Sequence, residues 1–181
     1  MNTDNELLIK LDALISNWED ETVEFKEANN DYDKDKIGRY FSALSNEANL
    51  RNVQCGWLIF GIKEKGKKIV GTNYREKKGL DTLKHEISLQ TTGGISFVEI
   101  YEVEKEGKRI IMFQIPAATA GIPTGWKDQY YAREGDSLVP LSLEKMDRIR
   151  QQSNRDWSKL FVKGAHHTER EGGWRDYVKL C

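Results

Sequence analysis

The feature that most constrains this chain is the run Trp57-Leu58-Ile59-Phe60-Gly61-Ile62, nearly unbroken in apolar character and rich in aromatic and β-branched residues. A run of that length, bounded by glycine, predicts a strand buried on both faces, and hence a sheet with packed material above and below it. Ile110-Ile111-Met112-Phe113-Gln114-Ile115 is a second run of the same kind. Both are expected as central strands of one sheet, covered by a helix over residues 34–48. After the first run, charge takes over at Lys63-Glu64-Lys65-Gly66-Lys67-Lys68 and apolar character returns at Ile69-Val70. Gly66 stands where a tight turn needs positive φ, so this stretch predicts a β-hairpin with a basic tip.

The same residues nearly spell a phosphate-binding P-loop, Gly61 and Gly66 framing four residues with Lys67 next. A working P-loop needs a hydroxyl residue for Mg²⁺ and a following helix whose amides converge on phosphate. Lys68 replaces the hydroxyl, and Ile69-Val70-Gly71-Thr72-Asn73 is strand-and-turn sequence. The hairpin is the better reading.

Around this centre the pattern alternates between helix and strand. Leu7, Leu8, Leu11, Leu14 and Ile15 give residues 5–16 a helical spacing. Residues 21–26 alternate, with Val23 and Phe25 on one face and Thr22, Glu24 and Lys26 on the other, which predicts a half-buried strand exposing a carboxylate beside an ammonium. The acidic stretch 31–35 should start the next helix, whose apolar stripe is Ile37, Phe41, Leu44 and Ala48. A third helix is expected over 80–90, with Leu83, Ile87 and Leu89 partly on one face. Strands follow over 95–104 and 108–116, joined at Lys105-Glu106-Gly107. A loop over 117–128, a short strand over 129–133 and a helix over 143–151 complete the pattern. The connections favour antiparallel hairpins, so the fold class is α+β, with a mixed, largely antiparallel sheet and flanking helices. Residues 1–152 are expected to form the domain, and 153–181 a tail or the start of a further one.

In a chain of 181 residues, 38% apolar and 31% charged residues suit one soluble domain. No apolar stretch approaches a membrane span, and the first residues lack a signal peptide's basic and apolar regions, so the cytoplasm is the expected compartment. Cys55 and Cys181 form no disulfide framework, and Cys55 is expected as an inert buried thiol. His85, His166 and His167 are too scattered to suggest catalysis. The net charge of −1 hides an acidic segment up to Asp35 and a basic one over residues 36–84, which suggests a local anion-binding surface.

Three pieces, in order, carry a family resemblance: Glu19-Asp20-Glu21-Thr22-Val23-Glu24-Phe25-Lys26; Phe41-Ser42-Ala43-Leu44-Ser45-Asn46 leading to Gly56–Ile62; and Tyr131-Ala132-Arg133-Glu134-Gly135-Asp136-Ser137. Together they resemble the Schlafen/AlbA-type DNA-binding domain, also described as a divergent AAA-like domain. It is common at the N-terminus of bacterial transcriptional regulators and helicase-related proteins. The likeness covers residues 6–150. It implies an α+β fold, nucleic acid as partner (DNA in the first instance) and a regulator's role. Asp156-Trp157-Ser158 resembles the exit toward a further C-terminal domain, ATPase-like or winged-helix. The Schlafen branch implies a Mg²⁺- or Mn²⁺-dependent endoribonuclease on three carboxylates, which here would be Glu19, Glu24 and Glu64. Lys63 would then bring a positive charge into the metal cradle, and efficient cleavage is not expected.

Nucleic-acid binding is therefore the leading expectation, without a cofactor, through Lys26, Lys63, Lys65, Lys67, Lys68, Arg75, Lys77, Lys78 and Arg133 as phosphate contacts. The nuclease is the second. The third is an interaction or homodimerisation platform anchored by exposed Trp126 and Trp157.

Overall fold

The first apolar run forms β2 (Cys55–Phe60) and the second β4 (Lys108–Pro116), hydrogen-bonded to each other in the middle of a four-stranded sheet. The sheet is completed by β1 (Val23–Lys26) beside β2 and β3 (Glu99–Lys105) beside β4. The computed structural model describes residues 3–16 and 21–153. Expectations for Glu19, Trp157, His166, His167 and the segment 154–181 lie outside the described residues.

Strand alternation sorts the side chains into two layers. Leu58, Phe60, Ile111, Phe113 and Ile115 face α2 (Lys34–Leu50) and α3 (Lys77–Ser88), meeting Ile37, Phe41, Leu44, Leu80, Leu83 and Ile87. Trp57, Ile59, Ile110 and Met112 face the other way, with Val23 and Phe25, and are closed over by Leu11 and Leu14 of α1 (Thr3–Ser16). Leu89 was expected on the apolar face of α3, but it follows that helix and is exposed. Cys55, expected buried, is half-buried against Gln114.

The fold class is α+β with mixed sheets, as expected, but one connection differs. β1 and β2 are parallel, with α2 as the crossover, so the chain contains a β-α-β unit among otherwise antiparallel pairs. Asp33 caps α2 by accepting from the Asp35 amide at 2.8 Å, the role its acidic stretch predicts.

A second, antiparallel sheet lies on the far side of α2, made of β5 (Gly125–Trp126), β6 (Gln129–Glu134) and β7 (Ser137–Pro140). It is followed by α4 (Leu143–Gln151), whose buried Ile149 packs with Ala132 and Leu141. Helix α2 is thus covered on both sides. Its polar residues Ser42, Ser45 and Asn46 are buried because the loop before β5 supplies their partners. Ser42 and Asn46 donate to the Thr124 carbonyl at 2.7 and 2.9 Å, and Asn46 accepts from the Thr124 amide at 2.8 Å. Trp126 was expected to be an exposed anchor; it is 2% exposed. Its indole lies over Gly38, where an added Cβ would sit 2.1 Å from the ring. That site accepts only glycine.

The expected hairpin after β2 is a loop. Strand pairing stops at Phe60, and a single bridge, Ile62 to Ile69, closes a short 3₁₀ turn at Lys65–Lys67. Gly66 does take positive φ, at 76°. The strand ends because Gly61 (φ 99°) and Gly71 (φ 82°) cross where a Cβ on Gly61 would lie 3.0 Å from the Arg109 carbonyl. Among the described residues no helix is long and apolar enough to cross a membrane.

Candidate nucleic-acid interface

Because β1 and β2 are parallel, their carboxyl ends lie together, and open α/β sheets place ligands at that end. Here β1 finishes on Lys26, β2 runs on toward Glu64, and β6 brings Arg133 across from the second sheet. Lys26 Nζ lies 2.5 Å from Glu24 Oε1 and 2.9 Å from Glu64 Oε2. The Arg133 guanidinium pairs with the other oxygen of Glu24 and donates to the Gly135 carbonyl from Nε (3.3 Å) and Nη2 (3.0 Å).

Glu24 was expected on a solvent face and is 2% exposed. The face opposite Val23 and Phe25 looks toward α2 and β6, where Lys26 lies by Tyr40 and Glu24 meets Arg133. A carboxylate so buried needs paired cations, and Lys26 and Arg133 supply them. Burial pulls the Lys26 pKa down. The hydrogen bond to Glu64 and the Tyr40 hydroxyl outweigh that and leave it above its ordinary value. Lys26 is therefore charged. Arg133, expected on the contact surface, is 3% exposed; burial lowers its pKa without removing a guanidinium's charge. Its strand is held by Glu47, which accepts from the Arg133 amide at 3.2 Å and pairs with Lys145.

The family-implied metal cradle meets this arrangement badly. Lys26, and not Lys63, is the lysine among the carboxylates, standing between Glu24 and Glu64. Lys63 instead lies 3.7 Å from Glu27 at the surface. Among the described residues no three His, Cys, Asp or Glu side chains are grouped to hold a metal. The ammonium already neutralises the oxygens a divalent cation would need, so Glu24 and Glu64 do not fit one.

The remaining expected contacts separate into two kinds. Lys65, Lys68, Lys77 and Lys78 are exposed and form no ion pair among the described residues. Lys67 is half-buried with its ammonium 4.3 Å from the Phe25 ring centre, and burial lowers its pKa. It lines a cavity of about 610 Å³ with Glu64, Lys65, Gly66 and Asp136. Arg75 is turned inward, 3.3 Å from Glu86 and 3.2 Å from the Gly79 carbonyl.

Sequence reasoning missed Tyr32, Lys36, Arg39, Tyr40 and Tyr131. Tyr40 lies 5.2 Å from Lys26 Nζ and 6.0 Å from Arg133 Cζ. Lys36 stands 5.9 Å from the Tyr32 ring and Arg39 5.9 Å from Tyr131. A signal existed. Lys36 and Tyr40 are one helical turn apart, and Tyr131 shares a strand face with Arg133.

Fold and site together define a small α+β domain with a basic, tyrosine-rich end. The family model described as "Schlafen, AlbA_2" matches residues 19–142, and the chain belongs to that family. Among curated proteins no relative matches. Of solved structures, the DIP2311 protein of Corynebacterium diphtheriae is similar at 19% identity and a TM-score of 0.57, over 81% of this chain and 28% of that one. The N-terminal domain of a RecG-related protein of Nitrosomonas europaea is similar at 21% identity and a TM-score of 0.42, over 76% and 92%. The chain thus spans little more than a quarter of the first of these proteins.

Proposed function

We propose that this domain binds nucleic acid, DNA in the first instance, by holding backbone phosphates at the carboxyl end of the parallel strands. The observation that carries this is the pair of exposed cations Lys65 and Lys68, which form no ion pair among the described residues. Lys63, Lys36 and Arg39 add exposed charge. Lys26 and Arg133 serve as the compensated floor of the site and not as direct phosphate contacts. Lysines of the outer kind release counterions on binding, so affinity falls steeply with salt and little with sequence. The role proposed is that of the family's bacterial transcriptional regulators.

The metal-dependent nuclease is the weaker alternative, because Lys26 holds the carboxylates such chemistry would use. An interaction platform loses its described anchor, since Trp126 is buried.

The test is a variant with Lys65, Lys67 and Lys68 all changed to Glu, measured by fluorescence anisotropy on labelled DNA and RNA across a salt series. Loss of each phosphate contact should flatten the salt slope by roughly one. Binding indistinguishable from the parent would leave the loop a solvated turn.

A further inference from the structure

Three tyrosines meet the cations of this surface. Tyr32, Tyr40 and Tyr131 are each half-buried at the edge of the core that lies under α2, so that core seats the rings. Tyr32 is fixed against Phe60, ring centres 4.9 Å apart. The Tyr131 amide donates to Ser42 Oγ at 3.0 Å, tying its strand to α2. Each ring also has a cation near it: Lys36 by Tyr32, Lys26 and Arg133 by Tyr40, Arg39 by Tyr131. Lys36 and Arg39 are exposed. They can move aside without breaking an internal ion pair among the described residues.

We infer that the nucleic acid bound here is single-stranded, with bases stacking on Tyr40 and Tyr131 while Lys36, Arg39, Lys65 and Lys68 hold the phosphates. Rigid aromatic rings set among cations are what a single strand needs, since its bases are free to leave one another and stack on protein. Bases inside a duplex are already stacked and present only groove edges. Helix α2 is in addition packed between the two sheets over residues 41–48, so only its first turns, with Lys36 and Arg39, are open to a ligand and its length is not free to lie in a major groove. Stacking is tolerant of base identity, so the preference is for strandedness and not for a sequence.

This inference rests on the phosphate-binding proposal, and one experiment separates the two. Anisotropy is measured with a labelled 12-nucleotide DNA strand, the same strand in RNA, and the matching duplex. The variants are Tyr40→Leu, Tyr131→Leu, their Phe counterparts and the triple lysine-to-glutamate variant. The parent should prefer strand to duplex, and each Leu variant should lose about 5-fold to 100-fold on the strand. The Phe variants should retain affinity, because stacking needs the ring and not the hydroxyl. If the lysine variant loses binding while both Leu variants bind like the parent, stacking is wrong and phosphate binding stands. If no variant changes binding, both fail. Ultraviolet crosslinking of the strand to the unaltered protein is independent of how the variants fold. Crosslinks mapping to Tyr40 or Tyr131 support the inference, and crosslinks confined elsewhere overturn it.

Discussion

Two sets of cations meet at one end of this domain, and they differ in what they answer to. Lys26 and Arg133 face inward, each against the buried carboxylate of Glu24. Lys65 and Lys68 face outward, with no ion pair among the described residues. In sequence all four look alike. A cation's use is set by whether a buried carboxylate claims it, because burying charge is costly and only pairing offsets the cost. The inner set links the two sheets, Arg133 of β6 against Glu24 of β1, and the outer set is left for a ligand.

The sharpest way to break this contrast is Arg133→Met. It strands the Glu24 carboxylate beside a single remaining cation, and losing one partner of a buried pair costs about 3–5 kcal/mol. Urea denaturation should show that loss. A change below 1 kcal/mol would mean that Arg133 is not structural.

Lys26→Met should cost less, about 2 kcal/mol, the scale of a charge-assisted hydrogen bond, since Arg133 still pairs Glu24. It also removes the ammonium between Glu24 and Glu64. Mn²⁺ should then raise the melting temperature of the variant and leave the parent unmoved. Equal stabilisation of both would show that Lys26 does not occupy the cation's place.

The outer set predicts the reverse pattern. Changing Lys65 and Lys68 to Glu should alter stability by no more than about 0.5 kcal/mol, as surface substitutions do. Nucleic-acid affinity should nevertheless fall. Comparable losses in melting temperature and affinity would erase the distinction between the sets.

The smallest effect concerns acid. Burial raises the Glu21 and Glu86 carboxyls, but Arg51 and Arg75 outweigh it and hold both below their ordinary 4.5; Lys84 lowers Glu99 in the same direction. The unfolded chain therefore takes up protons first. The stability these groups contribute is complete above pH 4.5 and is lost as pH falls through their lower folded values. Denaturation at pH 7, 5 and 3 should show little change over the first step and a loss over the second.

Much of the fold is legible along the chain. The two apolar runs gave central strands, and the stripe Ile37, Phe41, Leu44, Ala48 gave the helix that covers them. Leu143–Gln151 is a helix with Ser142 as its cap. What was not legible depends on a second neighbour. Ser42, Ser45 and Asn46 lie off the apolar stripe, and nothing local announces the Thr124 loop that buries them, 78 to 82 residues away in sequence. Trp126 read as exposed for the same reason, its socket being a glycine on another element.

The candidate site divides along the same line. Sequence alone determined that Glu24 and Lys26 share a face of β1, because strand alternation is local and fixed by backbone geometry. It also determined that Gly66 turns the loop carrying Lys65 and Lys68, since only glycine takes that φ freely. Tertiary structure alone decided that the face of Glu24 is interior, that Lys26 rather than Lys63 stands between the carboxylates, and that Arg133 closes over them. Tyr32, Tyr40 and Tyr131 likewise became one surface only when α2 was seated between two sheets. Burial and pairing are properties of what packs against a residue, and the partner here comes from a strand more than a hundred residues away in sequence.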